Sequence, residues 1–509
     1  MEKHWYWLVG LMLLLALLLR LPLLSGSFWL DEAAQALESA RPLSQQFNIR
    51  DDFQPPLLHL IVHFAQYGSR AEWWQRLFGA LIPGIFSILG TMLIARKILP
   101  KNFSSTGSLL VGILLATNSF HLFFSQELRP YALPMLFAVW SWWVLLQAKH
   151  SPKYIISWAI LSLLGLYGSY LYPFLLLSQC IYLGGRFWKT KLIQMWLAGL
   201  LAIILGFIPW LPSFVGQLQA GQLLRLQLPQ WETAVSTSQL KVLPLVLGKF
   251  IYGVLDISFN QYFLGSSALI FLSFSIIAIG LLKQQLSKEL SSKDKKALIL
   301  LLIWLLVPLL SAWLVSFFVP VIQPKRVIFL LPAFYLLVVW VFATSQSMSF
   351  WFRRAGCALV GIILLINLFS VHQYYTDQRL QRENWRDVLT AVSRKHPQAF
   401  TLSSFPAPFA PIEWYRPAFI NSPMAQDLAS GTLHIDSQAT ADQIIDDITA
   451  LKLTSTMIYF EYLTDLTDPN QYLRTAIENS GYQLQDLLDY PGIGFVRIYQ
   501  YTPSYALRD

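Results

Sequence analysis

Trp5–Leu24 reads WYWLVGLMLLLALLLRLPLL, and the chain continues Ser25-Gly26-Ser27-Phe28-Trp29-Leu30-Asp31-Glu32-Ala33. These twenty residues carry a single charge, Arg20. At 1.5 Å per helical residue they cross a hydrocarbon core of about 30 Å. The stretch therefore predicts a membrane helix followed within a few residues by a carboxylate pair at the membrane edge. Its apolar part exceeds the core of a typical signal peptide, and only Lys3 marks a basic start, so it reads as an uncleaved anchor.

Ten further apolar runs follow: Leu77–Ala95, Ser108–Phe124, Pro130–Gln147, Tyr154–Tyr170, Pro173–Gly185, Leu192–Pro212, Phe263–Leu282, Ala297–Val319, Val327–Thr344 and Ala355–Val371. With a cytoplasmic N-terminus the inner loops collect Arg96, Lys97 and Lys101, then Lys149 and Lys153, then Arg186, Lys189 and Lys191. Lys283, Lys288, Lys293, Lys295 and Lys296 follow, then Arg353 and Arg354. That is the positive-inside pattern. Reading Tyr154–Gly185 as one helix would reverse every later loop, so the charges predict two helices there.

Composition agrees. Of 509 residues, 55% are hydrophobic and 13% charged, which excludes a disordered chain, a coiled coil and an ordinary soluble enzyme. The net charge of +9 divides unevenly. Residues 1–371 carry 27 basic and 12 acidic residues, and residues 372–509 carry 10 and 16. Positive charge thus goes with the apolar part, as basic loops anchoring a membrane protein require, and nucleic acid is not an expected partner. Cys180 and Cys357 lie in apolar runs, which argues against a disulfide, and no zinc spacing exists.

The expected fold is an α-helical polytopic membrane protein of about eleven transmembrane helices with a small extracytoplasmic α/β domain at its C-terminus. Residues 1–371 form the membrane domain, with long outer loops at 25–76 and 213–262, and residues 372–509 the second domain. There Trp385, Val388, Leu389 and Val392 recur at helical spacing, and Ala399–Phe405, Thr456–Tyr462 and Phe495–Tyr501 read as strands. Pro406 and Pro408 break the first of these. Thr440 with Gln443 predicts a capping box, and Asp468-Pro469 a cap opening a helix over Asn470–Asn479.

Six of the twelve acidic residues before 372 fall in the first outer loop: Asp31, Glu32, Glu38, Asp51, Asp52 and Glu72. Carboxylates beside aromatic residues at a membrane edge are partly desolvated, which raises their basicity and suits a general base. The alternative reading makes Asp31 and Glu32 a favourable helix start. Asp51-Asp52-Phe53-Gln54-Pro55-Pro56-Leu57 holds an acidic pair ahead of two prolines that fix an extended turn, or marks a plain helix entry. Arg20, Arg129, Lys325 and Arg326 place positive charge at outer span ends, against the topological bias. They serve a lipid phosphate, or pair with Asp31, Glu32 or Glu127.

This pattern resembles the C-type (GT-C) glycosyltransferases that use lipid-phosphate sugars, above all the family 39 protein mannosyltransferases and the aminoarabinose transferases of lipid A. The resemblance rests on Arg20-Leu21-Pro22 closing the first span, on Asp31-Glu32 and on Pro55-Pro56-Leu57. Arg129 with Tyr131, the basic turn Lys325–Arg326 and the C-terminal α/β domain also match. It implies inverting transfer in the plasma (inner) membrane from a polyprenyl-phosphate sugar to a lipid, glycan or protein acceptor on the outer side. Asp31 would be the base and Glu32 its orienting partner. Arg129, Lys325 and Arg326, with Arg20, would bind the donor phosphate, and Asp51, Asp52, Gln54 and Tyr131 the substrate. Many relatives carry His where Gln54 stands, and Gln accepts no proton at neutral pH. No nucleotide or other cofactor is implied; oligosaccharyltransferase relatives use a divalent metal, which this cluster does not demand. Membrane lipids are the remaining partner. The competing readings are an oligosaccharide ligase or polymerase of the same architecture, and a transporter or flippase. The runs carry no Asp, Glu or Lys near their centres and show no repeat, which disfavours the transporter.

Overall fold

The computed structural model describes residues 2–49, 52–147, 153–187, 192–227, 238–256, 260–286, 291–397, 399–404, 409–415, 435, 437–450 and 456–501. Asp51, Lys149, Lys189, Lys191, Lys288, Phe405, Pro406 and Pro408 lie outside them. The chain divides into two compact units. One holds Met1–Ser25, Pro42–Leu218 and Ser236–Leu380, and the other Gly26–Arg41, Gln219–Val235 and Gln381–Asp509.

The first unit is helical. It opens with α1 (Glu2–Leu18); α2 (Leu30–Ala40) belongs to the second unit, and α3 (Leu57–Gln66) returns to the first. Among the described residues six helices are long and apolar enough to cross a membrane: Glu72–Ile98, Ile193–Leu223, Gln261–Lys283, Ser292–Val315, Pro324–Ser345 and Phe350–Thr376. Shorter apolar helices include His4–Leu18, Ala132–Gln147 and Lys153–Leu166. Tyr154–Gly185 is two helices, Lys153–Leu166 and Tyr172–Phe187, as the charge pattern predicts. Leu11, Leu18, Phe271 and Leu365 remain exposed on their helices, which is the surface a bilayer covers.

The run Ser108–Phe124 breaks at Asn118 into Ser104–Thr117 and Ser119–Phe124. A break inside an apolar unit must find its own hydrogen-bond partners. The Asn118 carbonyl oxygen accepts from His121 N–H at 2.9 Å, and its amide donates to Phe250 O at 3.0 Å and Tyr335 Oη at 2.9 Å. Gly253 faces this break at φ +68°, where a Cβ would sit 1.8 Å from Ser119 Oγ. Only glycine fits there.

The second unit is built on a four-stranded sheet: β1 (Phe400–Ser403), β2 (Thr456–Phe460), β3 (Tyr482–Tyr490) and β4 (Gly494–Tyr501), in the order β1-β2-β4-β3. β1 and β2 are parallel, and the other pairs are antiparallel. Alternation along each strand builds two cores. Ile458, Phe460, Val496 and Ile498 pack with the helix Trp385–Lys395. Met457, Tyr459 and Tyr499 pack with Gln438–Ala450 and Tyr472–Asn479. Two expected helix starts move. Ser437, not Thr440, caps Gln438–Ala450, its Oγ accepting Thr440 N–H at 3.2 Å. Asp468 caps as expected, through Tyr472 and Leu473 N–H at 2.8 and 2.9 Å, but the helix opens at Tyr472. β3 had no expectation, because as an edge strand it is mostly exposed and alternates weakly.

Candidate active site residues

The Pro55-Pro56 turn places three side chains of the first unit around one carboxylate. Gln54 N–H donates to Asp52 O at 2.9 Å, closing a tight turn before the prolines, and Leu57 N–H then docks on Tyr167 O at 3.0 Å. From the helix Ile193–Leu223, Ser213 Oγ donates to Phe47 O at 2.6 Å. Gln217 Nε2 donates to Ile49 O at 2.9 Å and Gln54 O at 3.2 Å. These bonds pin the described residues on both sides of the turn, at Phe47, Ile49, Gln54 and Leu57.

Asp52 Oδ2 accepts a short hydrogen bond from Gln54 Nε2 and lies 3.5 Å from Arg129 Nη1 and 3.4 Å from His59 Nε2. Burial would push the Asp52 carboxyl up. The Arg129 guanidinium, then His59 and Gln54, outweigh it and hold the group at about 2. Asp52 is thus a permanent anion and a poor base. Its charge turns the Gln54 amide nitrogen toward it, and the same nitrogen lies 3.0 Å from Nε2 of the fully buried His59. His59 Nε2 thus faces both the Gln54 amide nitrogen and Asp52 Oδ2. Gln54 takes no proton, and its amide nitrogen stands between Asp52 and His59.

Arg129 sits in a short turn where Tyr131 N–H donates to Arg129 O at 2.7 Å. Lys325 Nζ stands 6.0 Å from the Tyr131 ring centre, at the outer limit of a cation–π contact. Arg326 Nη1 donates to Pro320 O and Val321 O at 3.3 and 3.2 Å. The structure thus gathers Asp52, Gln54, His59 and Arg129, and links Tyr131 with Lys325. Arg20 stands elsewhere. It is fully buried, donating to Ala16 O at 2.8 Å, Ala116 O at 3.1 Å and Leu115 O at 3.4 Å, with His121 Nδ1 at 2.9 Å. Those contacts suit a cation that closes the end of α1, and none of them is a carboxylate.

In the second unit α2 carries Asp31 and Glu32. Glu32, Gln35, Ala36 and Ser39 form its buried face, while Asp31 stays partly exposed at the margin. The segment leading into α2 is tied down by Tyr415 Oη, which accepts Phe28 N–H at 2.8 Å, and by Ser27 Oγ, which accepts Arg386 N–H at 2.9 Å. Trp29, the N-cap residue, offers no side-chain cap. Leu30 packs against the core that holds the buried Trp385 and Tyr462, and Glu383 accepts from both of these, Trp385 Nε1–H at 2.5 Å and Tyr462 Oη–H at 2.8 Å.

No family model matches the sequence, and no curated protein matches it. Solved structures do. ArnT from Cupriavidus metallidurans in the apo state superposes at a TM-score of 0.54 and 12% identity over 98% of each chain. The same protein bound to undecaprenyl phosphate gives 0.55 and 12% over the same shares. The fold is GT-C-like. It is that of a multi-pass membrane protein, mostly helical with a small C-terminal sheet, and likeness at this identity is likeness of fold. An oligosaccharyltransferase from Archaeoglobus fulgidus, tethered with an acceptor peptide, gives a TM-score of 0.48 and 11% identity over 97% of this chain and 74% of that one.

Among the described residues no group of three or more His, Cys, Asp or Glu side chains could hold a metal ion. The donor set at Asp52 does not fit one either, since Arg129 already faces the carboxylate. Asp51 lies outside the described residues. Sequence reasoning missed His59 and Glu383. His59 had a signal, a histidine in the apolar helix Leu57–Gln66 five residues beyond Gln54. Glu383 had none, because Tyr462, which holds its other oxygen, is far away in sequence.

Proposed function

We propose that this chain is an integral membrane glycosyltransferase that moves one sugar from a polyprenyl-phosphate donor to an acceptor hydroxyl or amine on the outer side of the plasma (inner) membrane, with inversion. Asp31 takes the acceptor proton. The freed oxygen or nitrogen bonds to the anomeric carbon, the carbon–oxygen bond to phosphate breaks on the opposite side, and polyprenyl phosphate leaves with the electron pair. Glu32 orients Asp31. Arg129, Lys325 and Arg326 stabilise the phosphate as its charge grows. Asp52 and Gln54 hold Arg129 and the turn in place, and Tyr131 holds Lys325.

The observation that carries the reading is Arg129 held by an ionised, inward-tied Asp52, on a fold shared with a protein that binds undecaprenyl phosphate. Arg20 is left as a structural cation. The test uses the full chain in detergent with a panel of labelled undecaprenyl-phosphate pentoses and hexoses, and with undecaprenyl phosphate itself as the binding probe. Transfer from one member, abolished in Asp31→Asn, supports the reading. Failure to bind undecaprenyl phosphate overturns it.

A further inference from the structure

In the helix Ile193–Leu223, Gly206, Trp210, Ser213 and Gln217 recur at intervals of four, three and four, so they share one face. Gly206 O accepts Tyr167 Oη–H at 2.9 Å, and Ser213 Oγ donates to Phe47 O at 2.6 Å. Trp210 Nε1–H donates to Tyr170 Oη at 2.8 Å, and Tyr170 Oη donates its own hydrogen to Gln217 Oε1 at 2.6 Å. Both hydrogens of the Gln217 amide nitrogen then go to backbone carbonyls, Ile49 O at 2.9 Å and Gln54 O at 3.2 Å. The reverse orientation would set Oε1 against two carbonyl oxygens, so the relay from Trp210 through Tyr170 fixes which way the amide faces. Trp210 is fully buried and Gln217 nearly so.

We infer that Gln217 is a positioning residue for the Asp52–Arg129 pair: from a helix 163 positions away in the chain, its amide holds the turn that carries Asp52. The inference rests on the reading of Arg129 as a partner of the donor phosphate. Ile49 and Gln54 flank Asp52 in sequence, and one side chain ties both of their carbonyls. A buried carbonyl left without a donor costs free energy, so the turn keeps the geometry in which both are satisfied. On its other side Leu57 N–H docks on Tyr167 O at 3.0 Å, and Tyr167 is itself bonded to Gly206 of the same helix. The turn is thus held by two ties that lead to one helix face. Held in this way, Asp52 Oδ2 meets Arg129 Nη1 at 3.5 Å. A guanidinium carries five donors, so one edge can face this carboxylate while another faces a phosphate. Asp52 sets where that other edge points, and Gln217 acts through Asp52.

The experiment pairs hydrogen exchange, which needs no substrate, with binding of undecaprenyl phosphate, both on the full chain in detergent. Gln217→Met keeps the length of the side chain and removes its amide. Exchange at the Gln54 and Leu57 amides should rise about tenfold, while the amides of Ile193–Phe207 stay as they are. A general loss of packing would speed both sets. Affinity for undecaprenyl phosphate should fall about three- to tenfold. In an Arg129→Ala background the same substitution should cost nothing more, because the turn then has no guanidinium to place. Tyr170→Phe keeps both donors and frees the amide to turn. It should move both readouts the same way by a smaller factor, and it carries the test if Gln217→Met does not insert. Unchanged exchange at Gln54 in both variants overturns the inference. So does unchanged affinity beside a parent that binds, or an equal loss of affinity with and without Arg129. If the parent does not bind undecaprenyl phosphate while exchange at Gln54 rises in Gln217→Met, the hold on the turn stands and the phosphate reading falls.

Discussion

Two carboxyl groups in this chain meet opposite treatment. Asp52, in the first unit, faces a guanidinium, an imidazole and an amide, and they hold it at about 2 despite its burial. Glu383, in the second, faces neutral donors and another carboxylate, and burial pushes it to about 7. Desolvation acts on both in the same direction. What differs is whether a cation stands beside the group. Arg129 makes Asp52 a fixed anion beside the side chain we propose for phosphate binding. Burial, which the neutral donors Trp385 and Tyr462 do not offset, raises Glu383 toward neutral pH. Only the second environment raises a carboxyl, and Asp31, the base we propose, belongs to the same unit.

The comparison breaks most sharply through Asp31. Asp31→Asn keeps the shape and removes the basicity, so turnover should fall by about 10²–10⁴-fold with little change in undecaprenyl phosphate affinity. Labelled-donor transfer beside direct lipid binding checks it. If Asp52→Asn shows that loss and Asp31→Asn does not, the contrast drawn between the two groups is wrong. Arg129→Ala comes next. It should weaken undecaprenyl phosphate binding about 10- to 100-fold, the share of a charge-assisted contact, and slow transfer with it. Equal affinity in the variant would remove Arg129 from the phosphate site.

Asp52→Asn sharpens the comparison on the stability side. It strands Arg129, a largely buried cation, beside a neutral amide. The expected loss is about 1–3 kcal/mol of unfolding free energy, the cost of leaving a buried charge without its partner. Denaturation of the detergent-solubilised chain measures it, and an Asp52→Asn variant as stable as the parent would mean that the ion pair contributes nothing.

Much of this was legible in the sequence, and the exceptions share a cause. Runs of hydropathy and the alternation of basic loops are local properties, so the helices and the split of Tyr154–Gly185 could be read directly. The strands Phe400–Ser403 and Thr456–Phe460 were readable because both their faces are buried, and Gly494–Tyr501 because it is rich in β-branched and aromatic residues. β3 was not, because an exposed edge strand has no pattern to show. Asp31 and Arg129 stood out as charges at span ends. The break at Asn118 was hidden, because its partners Phe250 and Tyr335 are more than a hundred residues away. Glu383 was hidden for the same reason: its environment is assembled by Tyr462 and Leu30, neither of which is near it in the chain.

The smallest expected effect tests Glu383 without any substrate. Its carboxyl is raised in the folded chain from 4.5 to about 7. A raised acid binds its proton more tightly when folded than when unfolded. It therefore contributes stability that is fully present below about 4.5 and is lost as pH rises through about 7. The parent chain should lose stability across that window relative to Glu383→Gln, by about 1–3 kcal/mol at most, at about 1.4 kcal/mol per unit less what solvent screens. Asp52 gives the opposite sign: its lowered carboxyl contributes stability above 3.8 that is lost as pH falls toward about 2. The two effects act in separate pH windows, so thermal melts of the parent, Glu383→Gln and Asp52→Asn from acid to neutral pH resolve them. Parallel curves for the parent and Glu383→Gln between 4.5 and 7 would show that Glu383 titrates like any exposed glutamate. The contrast between the two carboxyl groups would then reduce to Asp52 alone.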